Sequence, residues 1–322
     1  MPNLNIAWWN LENLFDAESA ARPPELAAVL KTELKGWTAA IRDQKIDRLA
    51  TIIKLMFGGA GPDLLGVAEA ENEAVLKLLA ARMSQPGRAY AVLNHASPDT
   101  RGIDTSFIYD ANMLTPSAAD YFVVAKRRGT RDLFWATFQS KAGSAPFVAL
   151  ANHWPARSDG QYESEPFRMM VAETASYVLE RLFAQSPAGD KLPVVLMGDF
   201  NDEPFNRAIE EYLLSSHDEK AVTNGRAPNV LNLMWPLLAK PQPGTYFFGA
   251  WNLLDQFLVT KGLLLPESKV RVDAASVSVF RAPAMCLKNG APRRFGRPSS
   301  KDTFDPAGAS DHFPITMTLT VK

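Results

Sequence analysis

Leu192-Pro-Val-Val-Leu-Met197 is an apolar run without polar interruption, and it stops at Gly198-Asp199-Phe200-Asn201. Such a run reads as a buried strand whose end is polar. Asp199 and Asn201 alternate about Phe200, so both face one side of the strand end and Phe200 is left for the core. The same form recurs along the chain. Leu4 to Trp9 is a short apolar strand ending at Asn10-Leu-Glu-Asn13, and Asp63 to Ala68 is a buried strand ending at Glu69-Ala-Glu71. Further strands are expected at Ala89–Leu93, Asp104–Tyr109, Asp120–Ala125, Leu133–Gln139, Ala145–Asn152, Leu253–Val259, Lys269–Phe280 and Phe313–Val321.

Between these runs lie helical patterns. Ile46, Leu49, Ile52, Ile53 and Met56 mark a helix over Gln44–Phe57, stopped by Gly58-Gly-Ala-Gly-Pro62. A second is expected over Asn72–Met83. The longest, Glu163–Ala184, would bury Phe167, Met170, Val171, Thr174, Val178 and Leu182. The segment from Asp16 to Gly36 reads as a surface excursion. No linker, repeat or low-complexity tract divides the chain. The expectation is one α+β domain over residues 1–322, with two mixed, mainly antiparallel sheets between outer helices in an α/β/β/α sandwich.

Composition removes several function classes. Of 322 residues, 47% are hydrophobic and 10% aromatic, which excludes disorder of the whole chain. Lys and Arg number 34 against 35 Asp and Glu, for a net charge of −1, so nucleic-acid binding would need a local patch. The lone Cys286 excludes a disulfide scaffold and a cysteine metal cluster. No stretch is apolar for long enough to span a membrane, no export signal is visible, and no obligate protein partner is evident. The chain as written reads as soluble and cytoplasmic.

The polar residues at strand ends are the candidates for chemistry: Asn10, Glu69, His153, Asp199, Asn201, Asp255, Asp311 and His312. A sheet that delivers Asn, Glu, Asp and His to one rim is a good base for a rigid site. With no thiolate in the set, a bound metal would be a hard, oxygen-held one. Mg²⁺ fits best, with Mn²⁺ as an alternative. The histidines are then left for proton transfer or phosphate contact. Trp8, Trp9, Trp154 and Phe200 read as core aromatics. Asp311 and His312 would point to opposite faces of an extended strand, so both can enter one site only if the chain bends there.

Trp9-Asn-Leu-Glu-Asn-Leu-Phe-Asp16 resembles the opening motif of the endonuclease/exonuclease/phosphatase superfamily, the deoxyribonuclease-I-like fold. Asp63-Leu-Leu-Gly-Val-Ala-Glu69-Ala-Glu-Asn72, Asn152-His153-Trp154, Gly198-Asp199-Phe200-Asn201-Asp202, Leu254-Asp255-Gln256 and Ser310-Asp311-His312-Phe313-Pro314 resemble its later motifs, in the same order. The resemblance implies a metal-dependent phosphoesterase. Glu69 would anchor Mg²⁺ with Asn10 and Asp311 close by, and Glu71 would act from behind it or start a helix. Asp199 would orient or deprotonate the attacking water, and Asn201 would hold the phosphate. Asp255 would orient His312 on the phosphate. His153 would assist the leaving oxygen, with Asp104 as its supporting carboxylate.

Arg101 and Arg157 are candidate phosphate clamps. The clusters Lys126–Arg131 and Lys288–Lys301, the latter carrying Arg293, Arg294 and Arg297, favour a polyanion. A nuclease is therefore the first expectation. A phosphomonoesterase or small-molecule phosphodiesterase, of inositol-phosphate or sphingomyelinase type, is the alternative. A non-catalytic binding module is disfavoured, because every motif keeps its chemical residues.

Overall fold

The computed structural model describes residues 2–126, 129–143, 145–158, 160–225 and 230–322. In chain order the main elements are β1 (Asn3–Leu14), α1 (Pro24–Leu30), α2 (Ala39–Leu55), β2 (Leu64–Ala70), α3 (Glu73–Met83), β3 (Tyr90–Asn94), β4 (Asp104–Asp110), β5 (Leu114–Phe122), β6 (Leu133–Ser140), β7 (Pro146–His153), α4 (Gln161–Gln185), β8 (Val194–Asp199), β9 (Ser215–Ser216), α5 (Glu219–Asn224), β10 (Val230–Asn232), β11 (Tyr246–Phe248), β12 (Ala250–Asn252), β13 (Asp255–Thr260), β14 (Val270–Val279) and β15 (Ile315–Val321).

Two large sheets form, in the orders β14-β15-β1-β2-β4-β3 and β5-β6-β7-β8-β13-β10-β9. Most neighbours are antiparallel, while β1/β2, β7/β8 and β9/β10 are parallel. Alternation along the central strands sorts side chains between layers. Trp8 joins Phe107, Ala149, Met197 and Phe257 in the core between the sheets. Its neighbour Trp9 faces the other way, onto Ile46, Leu49 and Ile53 of α2 and Leu76 and Leu79 of α3. On the far side Leu150, Leu196 and Leu258 meet Val171, Ala175, Val178 and Leu179 of α4. The result is the expected α/β/β/α sandwich.

Local chemistry fixes the element ends. Asn72 caps α3 by accepting from the Val75 amide at 3.0 Å, and Thr38 caps α2 through Ile41. Two glycines set the spacing of the centre. A Cβ on Gly66 would lie 2.6 Å from Met197 Sδ and 2.7 Å from the Trp8 ring, so its absence lets the sheets approach. A Cβ on Gly198 would lie 2.5 Å from the Asn152 carbonyl oxygen, inside the parallel β7/β8 pair.

Three expectations are corrected. The segment 16–36 is more than a surface excursion: it contains α1, and Leu30 and Leu34 pack with Phe15, Trp37, Ile103 and Phe295 in a small separate core. The strand expected at Asp120–Ala125 is β5, which starts at Leu114 and ends at Phe122. It is an edge strand with Ala118–Tyr121 exposed, so its period-2 signal is weak. The buried face of α4 is Ser164, Arg168, Val171, Ala172, Ala175, Ser176, Val178 and Leu179. Phe167 and Thr174 are only half-buried, and Met170 is exposed. An arginine at the centre of that face hid the true stripe: Arg168 is fully buried because its Nε meets Asp202 Oδ2 at 2.9 Å.

Candidate active site

The central strands of both sheets end at one rim, and each delivers a polar residue there. Asn10 lies on β1, and Glu69 on the neighbouring β2. His153 ends β7 in direct register with Asp199 at the end of β8, and Asp199 is in turn in register with Asp255 at the start of β13. Because β13 runs antiparallel to β8, its first residue meets the last residue of its neighbour. Asp311 and His312 arrive from the segment that precedes β15.

Backbone turns at this rim are unusual. Glu12, Asn13, Glu69 and Asn201 all have left-handed φ, between 50° and 65°. For non-glycine residues this costs about 1–2 kcal/mol each. Side chains of the cluster hold three of these turns. Asn10 Oδ1 accepts from the Glu12 amide at 3.0 Å, Glu69 Oε2 from the Asn13 amide at 2.8 Å, and Asp199 Oδ1 from the Asn201 amide at 3.0 Å. Strain of this kind gathers where a site over-determines its backbone.

The bend required between Asp311 and His312 is present. The Ser310 hydroxyl donates to the Asn10 carbonyl at 2.6 Å and accepts from the His312 amide at 3.1 Å. Asp311 is thereby turned toward Glu12, Glu69 and Arg294, while His312 turns toward Asp255. His312 Nδ1 lies 2.7 Å from Asp255 Oδ2, and Asp255 Oδ1 accepts from Trp8 Nε1 at 2.9 Å. The Tyr246 ring packs on the imidazole, with centroids 4.9 Å apart.

Asp199 is the hub. Its Oδ2 accepts from Asn10 Nδ2 at 3.0 Å and lies 3.7 Å from His153 Nε2 and 3.9 Å from His312 Nε2. Burial raises its pKa to about 6, with His312 opposing the rise and Asp255 adding to it. The two histidines are driven apart. Burial pushes both down, but the carboxylates of Asp255 and Asp199 carry His312 well above the ordinary histidine range. His153, with Asp199 and Glu69 at 3.7 and 3.8 Å, is nonetheless carried well below that range by burial first and then by Arg131 and Arg101. One imidazole is thus held charged and the other neutral. Asp311 is raised to about 7, first by burial and then by Glu12 and Glu69. Burial also pushes Glu69 up, but Arg101 and Arg131 bring it below its usual value.

Other sequence candidates fall differently. Asp104 does not meet His153: it accepts from the Ser97 hydroxyl, and the buried His153 Nδ1 has no partner among the described residues. Arg101 stands at the site, with Nη2 3.7 Å from Glu69 Oε1. Arg157 is occupied instead as a brace, with Nε 2.5 Å from the Asn201 carbonyl and Nη2 on Asp202 and Asn206. Glu71 grips Arg22 with both oxygens and takes the Asp16 amide. In the basic run before Asp311, Arg293 pairs with Asp305 and Arg297 with Glu33. Only Arg294 turns to the site, where it meets Glu12 at 2.8 Å and Asp311 at 3.7 Å. In the other basic cluster, Arg127 and Arg128 lie outside the described residues.

Sequence reasoning missed Glu12. It is buried, and its carboxylate accepts from Arg294 Nε, the Phe295 amide and the Gly296 amide. The fully buried Lys45 donates to its carbonyl and lies 3.9 Å from its carboxylate. A lysine inside the apolar face of α2 was the available signal, since a buried lysine requires an anionic partner.

The donor set suits a hard divalent cation. Glu69, Asp311 and Asn10 offer the oxygen donors such an ion takes, and Asp311 is raised by burial first and then by the charges of Glu12 and Glu69. Asp199, Asp255 and His312 also present atoms within 4.8 Å of one another. There Asp255 accepts from Trp8 and meets His312, and Asp199 accepts from Asn10 and Asn201.

The sequence model of the endonuclease/exonuclease/phosphatase family matches residues 5–321. The chain belongs to the endonuclease/exonuclease/phosphatase family. Its members are phosphoesterase and nuclease hydrolases that generally use a divalent metal. Solved structures of the same fold include an endonuclease/exonuclease/phosphatase from Bacteroides vulgatus, at 17% identity and TM-score 0.60 with all of both chains covered. The Bacteroides thetaiotaomicron mannosyl-6-phosphatase is 15% identical with TM-score 0.58, covering 98% of this chain and 99% of that one. D. rerio TDP2 complexed with single strand DNA product is 14% identical with TM-score 0.53, again over both whole chains. No curated protein sequence matches. Among the described residues no helix is long and apolar enough to cross a membrane.

Proposed function

We propose that residues 1–322 act as one domain, a Mg²⁺-dependent phosphodiesterase that hydrolyses nucleic acid. The observation that carries this reading is Asp199, a carboxylate raised to about 6 and set between a neutral and a charged histidine. A base with that pKa is matched to proton abstraction near neutral pH.

Glu69 and Asp311, with Asn10 alongside, would hold the Mg²⁺ ion, with Mn²⁺ as a substitute. When bound, the ion offsets phosphate charge and polarises the ester. Asp199 takes the proton of the attacking water, held in place by the Asn10 amide. His312, kept charged by Asp255, donates from Nε2 to a non-bridging phosphate oxygen. Asn201 contacts the phosphate from the turn after β8, fixed there by its bond to the Trp154 carbonyl at 3.0 Å. His153, held neutral, hydrogen-bonds the leaving oxygen, which departs as the alkoxide and takes its proton from solvent.

The similarity to a structure that holds single-strand DNA, together with Arg101, Lys126 and Arg131 beside the site, supports a polynucleotide. The pairing of Arg293 and Arg297 with acidic neighbours favours the second reading, a small phosphoester. Purified protein with Mg²⁺ should be offered plasmid, single-stranded DNA, RNA, bis-p-nitrophenyl phosphate and p-nitrophenyl phosphate. Cleavage of DNA or RNA and of the diester, abolished by chelator, is expected. Turnover of the monoester alone would transfer the reading to a phosphomonoesterase.

A further inference from the structure

A cavity of about 710 Å³ opens at one side of the rim, with Glu69 and His153 at its inner end. None of Asp199, Asn201, Asp255 and His312 lines it, so it extends the site in one direction only, past the histidine assigned to the leaving oxygen. Its volume is that of a small-molecule pocket. Its wall carries Arg101, Lys126 and Arg131 against Asp99 and Glu69.

The two arginines are built in differently. Arg131 is mostly buried: its Nε donates to the Ile103 carbonyl and lies 3.3 Å from Asp99 Oδ2. Those contacts fix the guanidinium from one edge. Arg101 comes from the loop before β4, whereas Arg131 comes from the loop before β6; the Arg101 Nη2 donates to Asn13 Oδ1 at 3.4 Å, and its buried Nε has no partner among the described residues. Arg101 reaches the inner end of the cavity, with Nη2 3.7 Å from Glu69 Oε1. A guanidinium presents a planar fork of donors matched to phosphate oxygens.

We propose that this cavity is a subsite for a second phosphate, carried on the leaving-group side of the scissile phosphate and gripped by Arg131 and Arg101. The inference rests on the phosphoesterase reading above. The second phosphate has two sources, a bisphosphorylated small molecule or the next phosphodiester of a polynucleotide, and both present the same chemistry to the two arginines.

The test uses substrate pairs that differ by one phosphate: a sugar monophosphate with its bisphosphate, and the dinucleotide TpT with the trinucleotide TpTpT, all with Mg²⁺. The wild-type enzyme should prefer the member with the extra phosphate by tenfold or more in kcat/KM in at least one pair, and that pair identifies the source. In Arg131→Gln, and in Arg101→Gln, whose side chain is the more exposed of the two, the ratio should fall by about tenfold. Calorimetric titration with thymidine 3′,5′-bisphosphate and thymidine 5′-monophosphate reads the same preference without turnover. Failure to hydrolyse any substrate, bis-p-nitrophenyl phosphate included, would overturn the phosphoesterase reading, while the binding ratio would still judge the subsite. Equal binding of the two nucleotides by wild type, or ratios unchanged in both variants, would overturn the subsite.

Discussion

His312 Nδ1 lies 2.7 Å from Oδ2 of Asp255, a residue 57 positions earlier in the chain. The pair forms because β13 begins where β8 ends and because Ser310 turns the chain just before the imidazole. Asp255 thereby fixes the tautomer of His312 and holds its charge, leaving Nε2 aimed at the site.

Asp255→Asn should keep the fold, since the amide oxygen can still accept from Trp8. It should lower kcat on bis-p-nitrophenyl phosphate by roughly 10²-fold, the scale of a positioned acid or base. His312 loses the carboxylate that raises it, so its pKa falls. The alkaline limb of the pH–rate profile should therefore move to lower pH. An unmoved limb would remove His312 from the charged role.

Glu12 anchors the segment that carries Arg294 to the rim. Glu12→Ala strands the buried Lys45 and two backbone amides, and should destabilise by about 3 kcal/mol, as removal of one partner of a buried pair does. Glu12→Gln, which keeps an acceptor oxygen, should lose less. Combining Glu12→Ala with Lys45→Met should recover part of the loss. Urea denaturation of the three variants checks the order, and equal midpoints for wild type and Glu12→Ala would refute it.

Burial raises Asp104 from the ordinary 3.8 to about 6. Between those values the folded state binds more protons than the unfolded one, so this residue makes stability fall as pH rises from about 4 to about 6, and the loss is then constant. Asp104→Asn should remove that part of the slope. At pH 8 the variant should be more stable by on the order of 1–3 kcal/mol. Thermal midpoints measured across pH 4–8 would show it, and parallel curves for the two proteins would contradict it.

Arg293 and Arg297 are paired with Asp305 and Glu33, whereas Arg294 is held at the rim by Glu12. Charge reversal at Arg293 or Arg297 should change polynucleotide cleavage by less than about threefold and leave its salt slope nearly intact. Arg294→Glu should depress cleavage far more, because it places a carboxylate beside Asp311 and Glu12. Equal losses at all three positions would restore the whole run as a phosphate-contacting patch.

Much of the rim was legible because each residue there ends an apolar run. Asn10, Glu69, His153, Asp199, Asp255 and His312 could be named from the polar residue at the end of a buried strand. Glu12 could not, because its partners Lys45, Arg294 and the Phe295 amide lie 33, 282 and 283 positions away. Arg157 and Arg293 read as free cations in the sequence, since the acids that occupy them are brought near only by folding.

The sequence by itself determined the layers and the rim: period-2 alternation sends Trp8 and Trp9 to opposite faces, and each buried strand closes on a polar residue that must find the surface. The tertiary structure alone decided how those residues are charged and paired. His153 and His312 are the same side chain at one rim, His153 as the last residue of β7 and His312 from the segment before β15, yet one is held neutral and the other charged. Their protonation depends on burial and on which charges lie within a few ångströms. Asp255 meets His312 at 2.7 Å, whereas burial and the charges of Arg131 and Arg101 dominate at His153.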